Sequence, residues 1–147
     1  MTIPKIQFHL LKAVSLRDRT RLKAFLHLLF QKEKTKLAEL QYIFCSDDRL
    51  LEINKQFLNH DYYTDIITFN LSGANQPINA EIYISVDRVR ENAGDFNSSV
   101  PMELHRVIFH GALHLCGYKD KTRKDQTEMR KMEDKYLEMY SVPRGNI

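Results

Sequence analysis

The sequence predicts an α+β protein: a single domain over residues 1–147, in which a small mixed sheet of four strands is covered by about five helices. A chain of 147 residues leaves no room for two full hydrophobic cores. Hydrophobic residues make up 43% of the chain and charged residues 28%, which is ordinary for a folded domain. Short apolar runs bounded by polar turns dominate the first two thirds, and helical periodicity dominates the last third.

The first half of the chain predicts two strands, each followed by a helix. The strands are Ile6 to Leu11 and Leu40 to Cys45, both rich in apolar and β-forming residues. Ser15 is the expected N-cap of the first helix, and Ser46 or Asp47 the expected N-cap of the second, because their side chains can accept from free backbone N–H groups.

The second half predicts two more strands and then three helices. The strands are Ile66 to Leu71 and Ala80 to Ser85, joined by a polar turn. The complete predicted order is therefore β-α-β-α-β-β-α-α-α. The three helices are Val86 to about Asn92, stopped near Gly94; a helix capped by Ser99 that ends at Gly117; and roughly Lys121 to Tyr140.

Charge is unevenly distributed along the chain. Residues 1–40 carry nine basic against three acidic residues, whereas residues 41–118 carry five against ten. A basic region can attract a polyanion through counterion release, although a solvated helix face explains the same charges equally simply. The basic residues that open the first predicted helix are Arg17, Arg19, Arg21 and Lys23.

The clearest chemical pattern is His110-x-x-x-His114 followed by Gly117 and Asp120. Two histidines four residues apart lie on one face of a helix, so both imidazoles can reach one tetrahedral ion. Gly117 can take a positive φ and end the helix, which lets the turned chain bring Asp120 to the same ion. Two imidazoles and a carboxylate, with one position open, are typical ligands of catalytic zinc. The spacing predicts a zincin-like metal helix, with Asp120 in place of a last histidine.

One departure from the zinc peptidases concerns the residue after the first histidine. In peptidases with this signature that residue is a glutamate that acts as general base, and here it is Gly111. A peptidase would have to recruit a carboxylate from elsewhere, which makes peptide hydrolysis the least favoured of the functions considered. The carboxylates considered for that role are Asp65, Glu81 and Glu103.

The metal helix also carries a family signature. The run His110-Gly-x-Leu-His114-Leu-x-Gly117-Tyr118 closely resembles that of the YbeY family, the bacterial zinc-dependent endoribonucleases and rRNA maturation factors. Further segments are similar in order and spacing over about residues 35–140. These are Asn54-x-x-Phe57, then Thr64 to Phe69, and finally Ala80 to Ser85.

The resemblance implies an activity and its partners. It implies one Zn²⁺ per chain, held by His110, His114 and Asp120, and cleavage of single-stranded RNA in maturation of the 16S rRNA precursor. It also implies association with the ribosomal small subunit. The charge distribution, rather than the resemblance, predicts that the basic first helix contacts the RNA backbone. The catalytic residues stay unknown, and the nucleophile is left open between zinc-bound water and the 2′-hydroxyl of the substrate.

One further departure bears on catalysis. The family has an arginine after its Asn-x-x-Tyr motif, and this position is Leu58 here. A guanidinium would stabilise charge developing on a phosphate, and a leucine cannot. The alternative is therefore a non-catalytic ribosome assembly factor in which the zinc is structural.

Several residues around the motif are weaker candidates. Asp65 and Glu81 are considered as partners that hold a ligand imidazole by its other nitrogen, or simply as a strand cap and a surface carboxylate. His60 is explained by turn chemistry, with a phosphate contact as the alternative. Of the tyrosines that offer a face to an unstacked base, only Tyr118 is assigned to RNA. The tyrosines considered are Tyr62, Tyr63, Tyr83 and Tyr118.

Cysteine content and hydropathy give expectations about location. The two cysteines are too few for a disulfide framework. The chain contains no run of about 18 apolar residues, so a membrane span is not predicted. The expected location is the cytoplasm, with no membrane partner.

Overall fold

The computed structural model describes residues 3–141, so residues 1–2 and 142–147 of the predicted domain lie outside the described residues. Over this range the predicted order of strands and helices is confirmed. The strands are β1 (Lys5–Leu10), β2 (Leu37–Cys45), β3 (Ile66–Asn70) and β4 (Ile78–Ser85). The helices are α1 (Arg19–Lys32), α2 (Asp47–Leu58), α3 (Val86–Asp95), α4 (Val100–Leu115) and α5 (Arg123–Ser141).

The four strands form one mixed sheet in the order β1-β2-β4-β3. β1 runs parallel to β2, and β2 runs parallel to β4, as expected for strands joined through helices. β3 pairs antiparallel with β4 and forms one edge of the sheet. The predicted α+β class, with a small mixed sheet of four strands and five helices, is therefore confirmed.

The two faces of the sheet bury cores of different size. On β2, Leu40, Tyr42 and Phe44 are completely buried in the main core, which α1, α4 and α5 complete. Cys45 points to the opposite face, where α2 contributes Leu50 to a much smaller cluster. This division follows from the two-residue period of a strand, which sends successive side chains to opposite faces.

At Gly111, helix α4 packs against the sheet with no room for a side chain unless its neighbours shift. A Cβ built on Gly111 would lie 2.9 Å from Cδ1 of Ile82 and 3.0 Å from Cδ1 of Ile66. The absence of a side chain therefore lets the helix that carries both histidines rest directly on β3 and β4. Ser99 caps this helix as predicted, accepting from the backbone N–H of Met102.

Several helix boundaries predicted from the sequence are wrong, most clearly the start of α1. The predicted cap, Ser15, is wrong: the helix begins at Arg19, after Asp18 in the left-handed conformation with φ of 51°. Leu16 is buried and anchors the preceding loop, and aspartate tolerates this backbone conformation better than most residues. α3 also continues through Gly94, where the sequence predicted its end.

The last helix begins two residues later than predicted because Thr122 caps it. The hydroxyl of Thr122 accepts from the backbone N–H of Asp125 at 3.0 Å. None of the helices in the described part of the chain has the length and apolar character needed to cross a membrane.

Candidate metal centre and cleft

Two histidines of α4 and one carboxylate from the loop before α5 converge at one point. Nε2 of His110 lies 3.3 Å from Oδ2 of Asp120, and Nε2 of His114 lies 3.2 Å from the same oxygen. The two imidazole rings are 4.6 Å apart and nearly perpendicular. The structure thus brings together the three residues that the sequence selected as ligands.

These separations fit a single bound ion. Two ligand atoms that each lie about 2.1 Å from a tetrahedral ion are about 3.4 Å apart. Both measured nitrogen–oxygen distances are close to that value, and the candidate ligand atoms of all three residues lie within 4.8 Å of one another. His110, His114 and Asp120 could therefore hold one metal ion.

The orientation of His110 is fixed by a buried carboxylate. Nδ1 of His110 lies 2.6 Å from Oε2 of Glu133, a residue of α5 whose exposed fraction is only 5%. Arg106 donates to the other oxygen of Glu133 at 3.0 Å, which compensates its charge. Burial lowers the pKa of His110, but the hydrogen bond to Glu133 together with the charges of Glu133, Asp65 and Asp120 raises this pKa above its ordinary value. With Nδ1 donating to Glu133, the lone pair of Nε2 faces Asp120.

The orientation of His114 is fixed by the turn that ends α4. Nδ1 of His114 donates to the backbone carbonyl of Tyr118 at 2.9 Å. Gly117 has φ of 105°, a conformation that favours glycine, and its N–H donates to the carbonyl of His114. The predicted glycine turn is confirmed, and it supplies the group that directs Nε2 of His114 towards Asp120.

The predicted roles of Asp65 and Glu81 beside the imidazoles are wrong, because other groups occupy both Nδ1 atoms. Glu81 instead accepts from the hydroxyl of Tyr83 at 3.2 Å. Asp65 does lie beside the cluster and lines the same cleft. Burial raises the pKa of Asp65 above its ordinary value, against a smaller lowering by the charge of His110.

Sequence reasoning missed Glu133, although a signal was present. Residues Met129, Glu133, Tyr136 and Tyr140 are the buried positions of α5, spaced four, three and four apart. A glutamate on such an apolar stripe is costly to bury unless it is paired. The position of Glu133 therefore indicated that it pairs with a residue of another helix, strand or loop, but did not indicate which residue.

The cluster opens onto a cleft of about 570 Å³. β3 contributes the edge-strand residues Thr68 and Asn70 to its lining, and α2 with the loop after it contributes Leu58, His60 and Tyr62. None of the described residues that line this cleft is a lysine or an arginine. Leu58, the residue at the position of the family arginine, thus faces the same space as the metal ligands.

The residues that the sequence assigned to RNA lie elsewhere. Arg21 donates to the carbonyl of Tyr140 and places its guanidinium 4.2 Å from the centre of that ring, at the far end of α5. Lys23 lies 5.9 Å from the centre of the Phe8 ring, and Arg19 donates to the carbonyl of Leu16 at 3.3 Å. None of these residues, nor Arg17, lines the cleft.

Tyr118 is also placed apart from the cleft. Its hydroxyl donates to Glu33 at 2.8 Å, and its ring packs against the main core. It lines a separate depression together with Glu33 and Glu128. Burial, followed by the hydrogen bond to Glu33, raises the pKa of Tyr118 to about 12. These contacts describe a structural residue, so its assignment to RNA has no support from the geometry.

Fold and cluster together define a class of protein: a small α+β domain in which one helix and the turn after it present two imidazoles and a carboxylate to an open cleft. A metal ion could be held at that point. More particularly, the chain belongs to the YbeY family, since the family described as endoribonuclease YbeY matches residues 9–141. The resemblance inferred from the sequence is confirmed.

Individual relatives are similar in sequence to this chain over most of their length. The endoribonuclease YbeY of Cytophaga hutchinsonii is 52% identical over 124 residues, which are 84% of this chain and 87% of that protein. The endoribonuclease YbeY of Flavobacterium psychrophilum is 46% identical over 127 residues, 86% of this chain and 90% of that protein.

A solved structure shares the fold. The solution structure of TM1509 from Thermotoga maritima superposes with a TM-score of 0.60 and 31% sequence identity. The match covers 91% of this chain and 89% of that one. The likeness therefore extends over nearly the whole domain.

Proposed function

We propose that the protein is a zinc-dependent endoribonuclease that cleaves single-stranded RNA, with His110, His114 and Asp120 as the metal ligands. The observation that carries this proposal is the convergence of two Nε2 atoms and one carboxylate oxygen, 3.2 and 3.3 Å apart, beside an open cleft. Membership of a family named for endoribonuclease activity supports the choice of RNA as substrate.

The protein groups around the cluster have separate tasks in this proposal. His110, His114 and Asp120 would hold the Zn²⁺, which would supply Lewis-acid chemistry for a phosphoryl oxygen and for the nucleophile, whether water or the 2′-hydroxyl. Glu133 and the carbonyl of Tyr118 hold the imidazoles in the tautomer that leaves each Nε2 free to ligate. Asp65 lies in the cleft with a raised pKa, and it is the candidate for moving a proton there.

Several finer statements are part of the proposal. Maturation of the 16S rRNA precursor, association with the ribosomal small subunit and a cytoplasmic location follow from the family resemblance and stay predictions. Contact of RNA with the basic residues Arg17, Arg19, Arg21 and Lys23 also stays a prediction. It is supported by the exposure of Lys23 and Arg19 on α1 and of Arg17 in the loop before it.

The Gly111 packing argues against the peptidase alternative. A glutamate at this position would have to place its side chain where Ile82 and Ile66 already lie. The general base of the zinc peptidases could therefore enter this helix only if these two side chains shifted.

The proposal is tested by metal content and RNA cleavage measured on the same preparations. We expect about one zinc per wild-type chain and cleavage of single-stranded RNA. His114→Ala should lose both zinc and cleavage, because one of three ligands is gone. His27→Ala is the matched control, since His27 lies on α1 and does not line the cleft. Thermal unfolding of each variant verifies that it is folded.

One outcome would favour the assembly factor instead. With Leu58 in place of the family arginine, the cleft lacks that cation. A protein that binds RNA without cleaving it could tolerate this loss. Full zinc occupancy with no cleavage of any RNA tested would replace the nuclease by a non-catalytic factor with structural zinc.

A further inference from the structure

The lining of the cleft that contains the metal ligands also includes two aromatic side chains in contact with each other. The rings of His60 and Tyr62 are stacked, with centres 5.1 Å apart and planes 21° from parallel. The hydroxyl of Tyr62 lies 3.0 Å from Nδ1 of His60 and can donate to it. Tyr62 is 55% exposed, and both residues line the cleft with His110, His114 and Asp120.

The loop that carries this pair is held from within the protein. Asn54 is 98% buried, and its Nδ2 donates to the carbonyl of Tyr62 at 2.9 Å. The N–H of His60 donates to the carbonyl of the same Asn54 at 3.1 Å. Asn59 makes the turn between helix and loop with φ of 57°. The aromatic pair is therefore presented in a defined position before any substrate arrives.

The neighbouring tyrosine shows that this placement is selective. Tyr63 is also exposed, but its hydroxyl donates to Asp48 at 3.2 Å and the Arg88 guanidinium lies 5.0 Å from its ring centre. Tyr63 does not line the cleft. Of two adjacent exposed tyrosines, Tyr62 lines the cleft and Tyr63 contacts charged residues outside it.

Apart from the metal ion of the proposed function, the cleft offers RNA no cationic lysine or arginine side chain among its described lining residues. Leu58 occupies the position of the family arginine. An aromatic surface binds any nucleobase through its π-face, and stacking changes binding by about five- to a hundredfold per base. Only an unpaired base can be splayed onto such a surface.

We propose that His60 and Tyr62 form a stacking platform for the unpaired nucleobase adjoining the phosphate at the metal centre, and that this platform selects single-stranded RNA. The proposal rests on the proposed function, because it takes RNA as the substrate. It assigns to these two residues a positioning role in substrate binding.

The first test uses fluorescence, because the chain contains no tryptophan. Tyr62→Trp introduces a single tryptophan into the platform, and Tyr63→Trp is the matched control outside the cleft. The probe is a single-stranded 2′-O-methyl RNA octamer added to the zinc-loaded full chain, with gel analysis to verify that the octamer stays intact. We expect quenching of Tyr62→Trp and none of Tyr63→Trp.

Two further probes separate stacking from phosphate contact. An abasic octamer of the same length and charge, and a duplex of the same sequence, should both fail to quench Tyr62→Trp. Equal quenching by the abasic octamer would overturn the platform in favour of contact between His60 and phosphate. Equal quenching by the duplex would overturn the selection of single strands.

The second test is kinetic. Tyr62→Ala should raise KM about five- to a hundredfold with a smaller change in kcat. Tyr62→Phe should have a KM close to that of the wild type. Tyr63→Ala should behave as wild type. An unchanged KM in Tyr62→Ala would overturn the proposal.

The two tests distinguish failure of the platform from failure of the nuclease. Base-dependent quenching without any cleavage would leave the platform standing and remove the enzymatic function. Cleavage by the wild type without base-dependent quenching would remove the platform alone.

Discussion

The two walls of the cleft differ in how their side chains are held. On the metal wall, His110 and His114 each direct Nδ1 to a protein acceptor, and the acceptor of His110 is a carboxylate that is 95% buried. On the loop wall, Leu58 and Tyr62 are 39% and 55% exposed, and it is the backbone of the loop that is held. The imidazoles of the metal wall are thus oriented by partly buried hydrogen bonds, whereas the side chains of the loop wall offer accessible surface. The following predictions test that difference, from the largest expected effect to the smallest.

Leu58→Arg should change the loop wall from a purely apolar and aromatic surface to a cationic one. A single positioned donor to a developing negative charge raises rates by about tenfold to a thousandfold. We expect RNA cleavage to rise by a factor in that range at unchanged zinc content, measured with saturating single-stranded RNA. Phe57→Arg adds the same charge at an exposed position that does not line the cleft. Equal stimulation by both variants would mean that the effect does not depend on placing the charge in the cleft.

Glu133→Gln tests the metal wall. It keeps the shape of the side chain but removes the charge that pairs with Arg106 and holds His110. Loss of such an outer partner typically weakens metal affinity by about 10- to 100-fold. Competition with a zinc-binding dye measures the effect. Glu138→Gln, an exposed glutamate on the same helix, should leave the affinity unchanged.

An unchanged zinc affinity in Glu133→Gln would also bear on the difference between the two walls of the cleft. If Glu133→Gln bound zinc as tightly as the wild type, the metal wall would not depend on its buried partner. The contrast between the two walls would then be one of exposure only.

Gly111→Ala tests whether the metal wall needs its close approach to the sheet. The new methyl group would meet Ile82 at 2.9 Å, and overpacking of this kind costs about 1–3 kcal/mol, against a gain of about 1 kcal/mol in helix propensity. Denaturant unfolding should therefore show a lower free energy of unfolding. Gly94→Ala in α3 meets nothing within 4 Å and should instead stabilise the protein by about 0.5–1 kcal/mol. A stabilised Gly111→Ala variant would contradict the packing argument.

The smallest effect is expected from cations outside both walls. The double variant Arg17→Ala, Arg19→Ala should lower the log–log salt slope of RNA binding by about one for each phosphate that the protein no longer neutralises. Cleavage at saturating RNA should change little, because neither residue lines the cleft. An unchanged slope would remove α1 from the RNA-binding surface.

How much could be predicted from the sequence depends on how far apart the interacting residues lie. His110, His114 and Asp120 span eleven residues, so helical spacing and a glycine turn were enough to bring them together. Glu133 and Tyr62 reach the site from other elements, and no local pattern states which elements meet. The predicted partners Asp65 and Glu81 failed for that reason.

The boundary errors have a similar physical origin. Ser15 has the chemistry of a cap, but burial of Leu16 holds the chain in a loop for three more residues. Local hydrogen-bonding preference was therefore overridden by tertiary packing. At Thr122 no comparable constraint competes, and the capping residue does begin the helix.

The contact of Gly111 with β3 and β4 also limits which reactions this scaffold can acquire by substitution. Gly111→Glu would introduce the general base of the zinc peptidases in a single step, but its side chain would collide with Ile82 and Ile66. Unless they shifted, those isoleucines would first have to become smaller, which opens a cavity and costs about 2–5 kcal/mol for each change to alanine. A typical domain has only about 5–15 kcal/mol of stability to lose. Introducing this glutamate therefore requires Ile82 and Ile66 to move or to become smaller, and shortening both would remove a large part of the stability of a typical domain.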